Sequence, residues 1–216
     1  MECSRRKDER RSALERRWDH WSQVYQSKDA DQVSWFQADP VMSMRLLTAV
    51  VPRPASVIDV GAGASVLVDR LLDARFPDVT VLDVSDLALT IVRQRLAEHH
   101  EQVSFIVADL LHWTPPRQWD SWHDRAVFHF LTDERDRTRY VEVATRAVAT
   151  GGTAVIGSFG LDGPEQCSGL DTARYDAESL TEQFGEAFAL ERSEQEVHRT
   201  PSGAQQAFTW VVLRRL

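Results

Sequence analysis

Between Ser56 and Gly152 the chain repeats one unit: a short apolar run, a polar or glycine break, then an amphipathic stretch. "SVIDV" at 56–60 leads into "GAGAS" and a helical pattern at about 65–76, "SVLVDRLLDARF". "VTVLDVS" at 79–85 is followed by "DLALTIVRQRLAEHH" at 86–100. "VSFIVADL" at 103–110 and "WDSWHD" at 119–124 read as a third and fourth strand, and a helix is expected at about 133–149 with Gly151 and Gly152 ending it. "TAVIGSF" at 153–159 is a fifth strand. Strands that alternate with helices imply βαβ units and a mainly parallel sheet. Asp176 is placed to cap a helix at about 177–185. The two closing β segments, about 187–197 and 205–214, have no helix between them and should form an antiparallel hairpin at one edge. Right-handed crossovers then align the C-terminal ends of the parallel strands along one rim, where such folds bind ligands.

Upstream, residues 11–28 suit a helix, with Leu14, Trp18, Trp21 and Tyr25 three and four positions apart. "VSWFQADP" at 33–40 reads as a loop to a second helix at about 41–50, which Pro52 and Pro54 stop. The organisation expected is an N-terminal helical segment, residues 1–51, against a core of residues 52–216, together one structural domain.

Composition narrows the partners. A net charge of −8 over 216 residues lacks the basic face that general nucleic-acid binding needs. Lys7 and Lys28 are the lysines and every other cation is arginine, which reads as composition bias. Two cysteines, Cys3 and Cys167, make neither a disulfide framework nor a zinc set, so no metal and a cytoplasmic setting are expected. No apolar run has the length of a membrane span, and "MECSRRKDERRSALERRW" has no signal-peptide core, so no membrane partner is expected either.

Chemistry gathers at the strand ends. Gly61 and Gly63 in "DVGAGAS" allow a sharp turn and close approach of a ligand to the backbone, ahead of a helix N-terminus. A dinucleotide fingerprint needs G-x-G-x-x-G, and the sixth residue from Gly61 is Val66, which disfavours a nicotinamide enzyme. Asp83 ends the second strand and can accept hydrogen bonds from ribose hydroxyls. Asp109 near the end of the third can accept an exocyclic amine, with the Leu110 backbone N–H and side chain beside it. In "HDR" at the end of the fourth, His123 or Asp124 is a candidate to bind or deprotonate an acceptor, and Arg125 to pair with an acid or hold an acidic substrate. The alternative is an ion-pair network closing the strand end.

These motifs in this order resemble the class I S-adenosylmethionine-dependent methyltransferases over about residues 56–160. "VIDVGAGAS" is similar to their first motif, with Ser65 where a third glycine is commoner; "VLDVS" to their ribose-binding acid; "FIVADL" to their adenine-contacting motif; and "WDSWHDRAVFHFL" with "GGTAVIGSF" to their fourth motif and fifth strand. The resemblance implies a Rossmann-like seven-stranded α/β sheet, mostly parallel with an antiparallel final strand, helices on both faces and an N-terminal helical lid. It implies S-adenosylmethionine as cofactor and S-adenosylhomocysteine as product. Gly61 and Gly63, with Ala62 between them, would line the methionine part, Asp59 would order the loop or reach the cofactor amine through water, Asp83 and Val84 would hold the ribose, Asp109 and Leu110 the adenine, and Tyr25 and Trp35 would cover the cofactor.

A second likeness lies in "HWSQVYQSKDADQVSWFQ" and Asp124, similar to small methyltransferases related to elongation-factor lysine methyltransferases. There an Asp-Lys-Gly-Thr stretch stands where this chain has Asp124-Arg125-Ala126-Val127. Methyl transfer to a small-molecule acceptor is therefore the leading expectation, with a protein-lysine target and a non-catalytic nucleoside-binding module as alternatives. His129 and the loop "GLDGPEQCSGLDTARYD" at 160–176, with Cys167, Arg174 and Tyr175, are candidates for an acceptor pocket. His198 and Arg199 in the last turn read as solvated.

Overall fold

The structure is a computed structural model that describes residues 16–50 and 53–216. Leu14, Cys3, Lys7 and the domain boundary expected at residue 52 lie outside the described residues. The helices are α1 (its described part, 16–27), α2 (Val41–Ala49), α3 (Leu67–Asp73), α4 (Asp86–Leu96), α5 (Glu134–Ala147) and α6 (Ala177–Glu182). The strands are β1 (Ser56–Val60), β2 (Asp78–Asp83), β3 (Val103–Val107), β4 (Trp119–Arg125), β5 (Val148–Phe159), β6 (Gln166–Cys167), β7 (Leu170–Asp171), β8 (Phe188–Arg199) and β9 (Gln205–Arg215).

The main sheet has seven strands in the order β3-β2-β1-β4-β5-β9-β8. The first five are parallel, and β9 runs antiparallel to both β5 and β8. This is the Rossmann-like arrangement expected, with the closing hairpin at one edge. The strand order reverses between β1 and β4, so the crevice at their C-terminal ends is the switch point of the sheet.

Side chains on a strand alternate between faces, and the core divides accordingly. Ile58, Val60, Ile156 and Val211 pack with Tyr140, Val143 and Ala144 of α5 on one face. Val57, Val79, Val155 and Trp210 pack with Leu47, Leu71 and Leu89 of α2, α3 and α4 on the other. The sheet is thus covered on both sides, which is why its central strands read as continuous apolar runs.

Local signals place most helix ends. Ser85 caps α4 by accepting from Ala88 N–H at 3.2 Å, and Asp133 caps α5. Asp176 and Ser179 form a reciprocal capping box on α6. One expectation is corrected: Gly151 and Gly152 do not end α5. The helix stops at Ala147, and β5 begins at Val148 and runs through both glycines. A Cβ on Gly152 would sit 2.7 Å from the Asp120 carbonyl oxygen, so close strand contact accounts for that glycine. Among the described residues no helix is long and apolar enough to cross a membrane.

Candidate active site

The turn after β1 is built by its glycines. Gly61 and Gly63 adopt positive φ, +60° and +53°, where a side chain is strained. Asp83, 7% exposed at the end of β2, ties this turn down. Its Oδ2 accepts from the Gly63 N–H at 2.8 Å and its Oδ1 from the Ser85 N–H at 2.7 Å. Burial pushes the Asp83 carboxyl up to about 6, against the stabilising pull of those backbone donors. The Val84 backbone N–H also acts on this carboxylate, which offers about four acceptor sites, so some acceptor capacity is left for a ligand hydroxyl.

A cavity of about 130 Å³, open on one side to solvent, lies at the switch point. Gly61, Asp83, Val84, Asp109 and Leu110 line one end of it. Arg125, His129, Phe130, Phe159, Cys167 and Phe208 also line it. Trp21, Tyr25 and Trp35 contribute from the N-terminal segment. A Cβ on Gly63 would lie 2.1 Å from the Tyr25 hydroxyl, so this side chain sits on the glycine turn. Trp21 meets Trp35 and Phe130 edge-on at 5.7 and 5.1 Å. Trp18, grouped with them by spacing, is 47% exposed. Ala62 and Asp59 border a second, adjoining cavity that shares Gly61, Tyr25, Trp35 and Arg125.

Asp109 is engaged from outside its own loop. Nε and Nη2 of Arg17 donate to Oδ2 at 3.2 and 3.0 Å, and His112 Nδ1 lies 2.9 Å from the same oxygen. Oδ1 accepts from the Leu111 N–H alone, at 3.0 Å. The charged N-terminal run gave no sign that Arg17 would reach a residue 92 positions away.

The His-Asp-Arg cluster does not act as a unit, because consecutive strand residues face opposite ways. His123 turns toward α2. Its Nδ1 lies 2.7 Å from Asp59 Oδ1 and its Nε2 2.9 Å from Ser43 Oγ, and all three residues are buried. Asp124 turns toward α5. It accepts from the Tyr140 hydroxyl at 2.6 Å and the Val127 N–H at 2.9 Å, and burial raises it to about 6. Neither lines the large cavity. Among the described residues no ion pair joins Asp124 to Arg125, His123 borders the second cavity, and Ser43 and Tyr140 are partners that sequence reasoning missed.

Arg125 is different. It lines both cavities, and Nη1 donates to the Trp35 carbonyl at 2.8 Å. Nε and Nη2 are shielded from solvent and have no partner among the described residues. His129 is fully buried against Phe159, rings 4.0 Å apart and nearly parallel, and neither ring nitrogen has a partner among the described residues. Burial, and next the Arg125 charge, hold it down to about 3, so it is a neutral imidazole. Cys167 also lines the cavity, but burial raises its thiol and Ser34 Oγ is its neighbour at 3.7 Å.

Two residues expected at the acceptor pocket are elsewhere. Arg174 is exposed and pairs with Glu165 at 2.9 Å. Tyr175 is buried in the core beside Phe128, ring centroids 5.6 Å apart. Phe159 and Phe208 take their place; they come from β5 and β9, whose inward alternation gave no sign of which side chains reach the rim.

Comparison with known proteins agrees with this architecture. Residues 57–152 match the family described as a methyltransferase domain. The N-methyltransferase NodS from Bradyrhizobium japonicum WM9, solved with S-adenosyl-L-homocysteine, superposes with a TM-score of 0.70 at 17% identity. That superposition covers 91% of this chain and 98% of NodS. This chain has the class I methyltransferase fold. A trans-aconitate 2-methyltransferase from Rhodopseudomonas palustris (strain BisB5) is 30% identical over 129 residues, which is 59% of this chain and 48% of that protein. The eEF1A lysine and N-terminal methyltransferase of Bos taurus is 25% identical over 122 residues, 56% of this chain and 17% of that protein. The methyltransferase fold of this chain is thus matched to about half the length of the first relative and under a fifth of the second.

Proposed function

We propose that the chain is an S-adenosylmethionine-dependent methyltransferase whose acceptor is a small molecule. The observation that carries the reading is the cavity at the switch point, lined both by the glycine turn with Asp83 and by Arg125 with His129. S-adenosylmethionine supplies a methyl group on a sulfonium, open to in-line displacement. Gly61 lets the backbone come close to it, and Asp83 uses its remaining acceptor capacity on the ribose. Leu110 and Val84 give apolar cover, and Oδ1 of Asp109 is the oxygen with capacity for the adenine amine. Tyr25, Trp21 and Trp35 exclude water above the turn, and so hold donor and acceptor together.

A small-molecule acceptor is supported by the aromatic residues that line the cavity and by the likeness to a trans-aconitate methyltransferase. The likeness to an eEF1A lysine methyltransferase favours a protein target as the second reading. A cytoplasmic setting belongs to the proposal and rests on the scarcity of cysteine. The test is transfer of radiolabelled methyl from S-adenosylmethionine into a cell lysate, split into acid-soluble and acid-precipitable fractions. Label in the soluble fraction supports the leading reading. Protease-sensitive label in the precipitate supports the second, and no transfer with no binding of S-adenosylhomocysteine overturns both.

A further inference from the structure

The guanidinium of Arg125 has one edge in use and one edge buried without a partner. Nη1 is spent on the Trp35 carbonyl, while Nε and Nη2 are out of solvent and have no hydrogen-bond partner among the described residues. Nε–H and Nη2–H form the side-on fork of an arginine, two parallel donors spaced to meet the two oxygens of a carboxylate. The same molecule shows what this edge does elsewhere. Arg95 sends Nε and Nη2 to the two oxygens of Asp69, at 3.2 and 2.8 Å. Arg214 sends the same pair to Glu191, at 2.8 and 2.9 Å. In Arg125 the fork meets no carboxylate among the described residues. The acid that acts on it most strongly is Glu196, whose own oxygens are taken by Gln37 and the Trp210 indole.

A buried charge left unpaired is costly, and this one sits in the wall of a cavity. Its surroundings fix the side of the cavity it serves. The Arg125 guanidinium lies 4.8 Å over the Phe208 ring, and its charge helps to keep the nearby His129 imidazole neutral. Phe208 belongs to β9 and His129 to the turn after β4, whereas Asp83 ends β2 and Asp109 follows β3 across the switch point. Aromatic residues share the cavity wall with Arg125: Phe130, Phe159, Phe208 and the stacked His129.

We propose that Arg125 is the specificity-determining residue of the acceptor site, and that the acceptor is a planar or aromatic molecule carrying a carboxylate which docks on the Nε/Nη2 fork. The inference rests on the methyltransferase reading for the word acceptor, but the carboxylate preference is measurable without methyl transfer. The Arg125 fork anchors the acid group, and the aromatic walls take the flat remainder.

The experiment is calorimetric titration of the whole protein, with and without S-adenosylhomocysteine, against benzoate, salicylate, cinnamate and fumarate and the matching amides. At least one carboxylate is expected to bind ten times more tightly than its amide. Arg125→Met is expected to reduce that preference below twofold and to leave S-adenosylhomocysteine affinity within threefold, with Arg125→Lys intermediate. Equal affinity for acids and amides across the panel in the wild-type protein overturns the inference, and needs no variant to fold. A loss of S-adenosylhomocysteine binding in Arg125→Lys or Arg125→Met as large as the loss of carboxylate binding also overturns it, since the fork would then serve the cofactor's own carboxylate. If the wild-type protein prefers carboxylates yet binds no S-adenosylhomocysteine, the methyltransferase reading fails while the assignment of the fork to a carboxylate stands.

Discussion

Arg17 on α1 and Asp109 after β3 are joined by two hydrogen bonds, Nε and Nη2 of the guanidinium both reaching Oδ2 of the carboxylate. The pair ties the N-terminal helix to the rim of the cavity, and Arg17 itself forms part of the cavity wall. Arg17 is 32% exposed and its carboxylate partner 5%, so the contact is partly sheltered, worth about 1 kcal/mol. Arg17→Met is expected to speed release of S-adenosylhomocysteine about three- to tenfold, read by stopped-flow tryptophan fluorescence. An unchanged release rate would remove α1 from the gating of the site.

Asp83 gives a pH signature. Its carboxyl is raised to about 6, so it is protonated at pH 5 and ionised at pH 7. The ionised form accepts from hydroxyls as well as from the Gly63 and Ser85 N–H groups. Affinity for S-adenosylhomocysteine is therefore expected to tighten from pH 5 to pH 7 with a midpoint near 6. Asp83→Ala should bind more than tenfold more weakly at pH 7.5, because both backbone donors and the ribose lose their acceptor. Asp83→Asn should show a flat profile. Calorimetric titration across this range is the measurement, and a sloping Asp83→Asn profile would assign the midpoint to another group.

Asp124 is expected to matter for stability rather than for proton transfer. It accepts from Tyr140, whose hydroxyl in turn accepts from the Trp122 indole N–H at 2.9 Å. Tyr140→Phe removes the link and leaves a buried carboxylate and a buried indole each short of a partner. A loss of about 2–3 kcal/mol is expected by urea unfolding. The folded carboxyl titrates near 6, above its ordinary unfolded value, so the folded state binds the proton more tightly. Relative to Asp124→Asn, the wild-type protein should lose stability as pH rises from 4 to 7 and level off beyond. A rise over the same interval would contradict the placement.

The glycine turn and the N-terminal segment should be energetically coupled. A Cβ at position 63 meets the Tyr25 hydroxyl at 2.1 Å and carries the strain of positive φ as well. Gly63→Ala is expected to weaken S-adenosylhomocysteine binding at least tenfold. In a Tyr25→Ala background the steric part disappears and only the backbone part, about 1 kcal/mol, remains. A double-mutant cycle on binding checks this, and additive losses would separate Tyr25 from the turn.

Much of the architecture is legible along the chain. The strand runs at 56–60, 79–85 and 103–110 correspond to β1, β2 and β3, and the strand–glycine–helix turn at Gly61 stands at the switch point. Asp83 and Asp109 were legible because an acid at the end of a parallel strand must lie on the common rim. The break between α5 and β5 was misjudged at Gly151 because a glycine signals a stop without saying which element needs it. In β5 the close strand contact is at Gly152, while Gly151 takes a positive φ of +77°.

What the sequence by itself determined is periodic and local: the alternation of apolar runs and helices, the turns that glycine permits, and the caps at Ser85, Asp133 and Asp176. These follow from backbone sterics and from patterns a few residues long. The tertiary structure alone decided which partner each polar group found. His123, Asp124 and Arg125 are adjacent in the chain, yet they face α2, α5 and the cavity. Their partners Asp59, Ser43, Tyr140 and Trp35 stand 64, 80, 16 and 90 positions away. Pairing at such separations is set by the packing of helices on the two faces of the sheet, and the same packing buries one fork of Arg125 without a partner among the described residues.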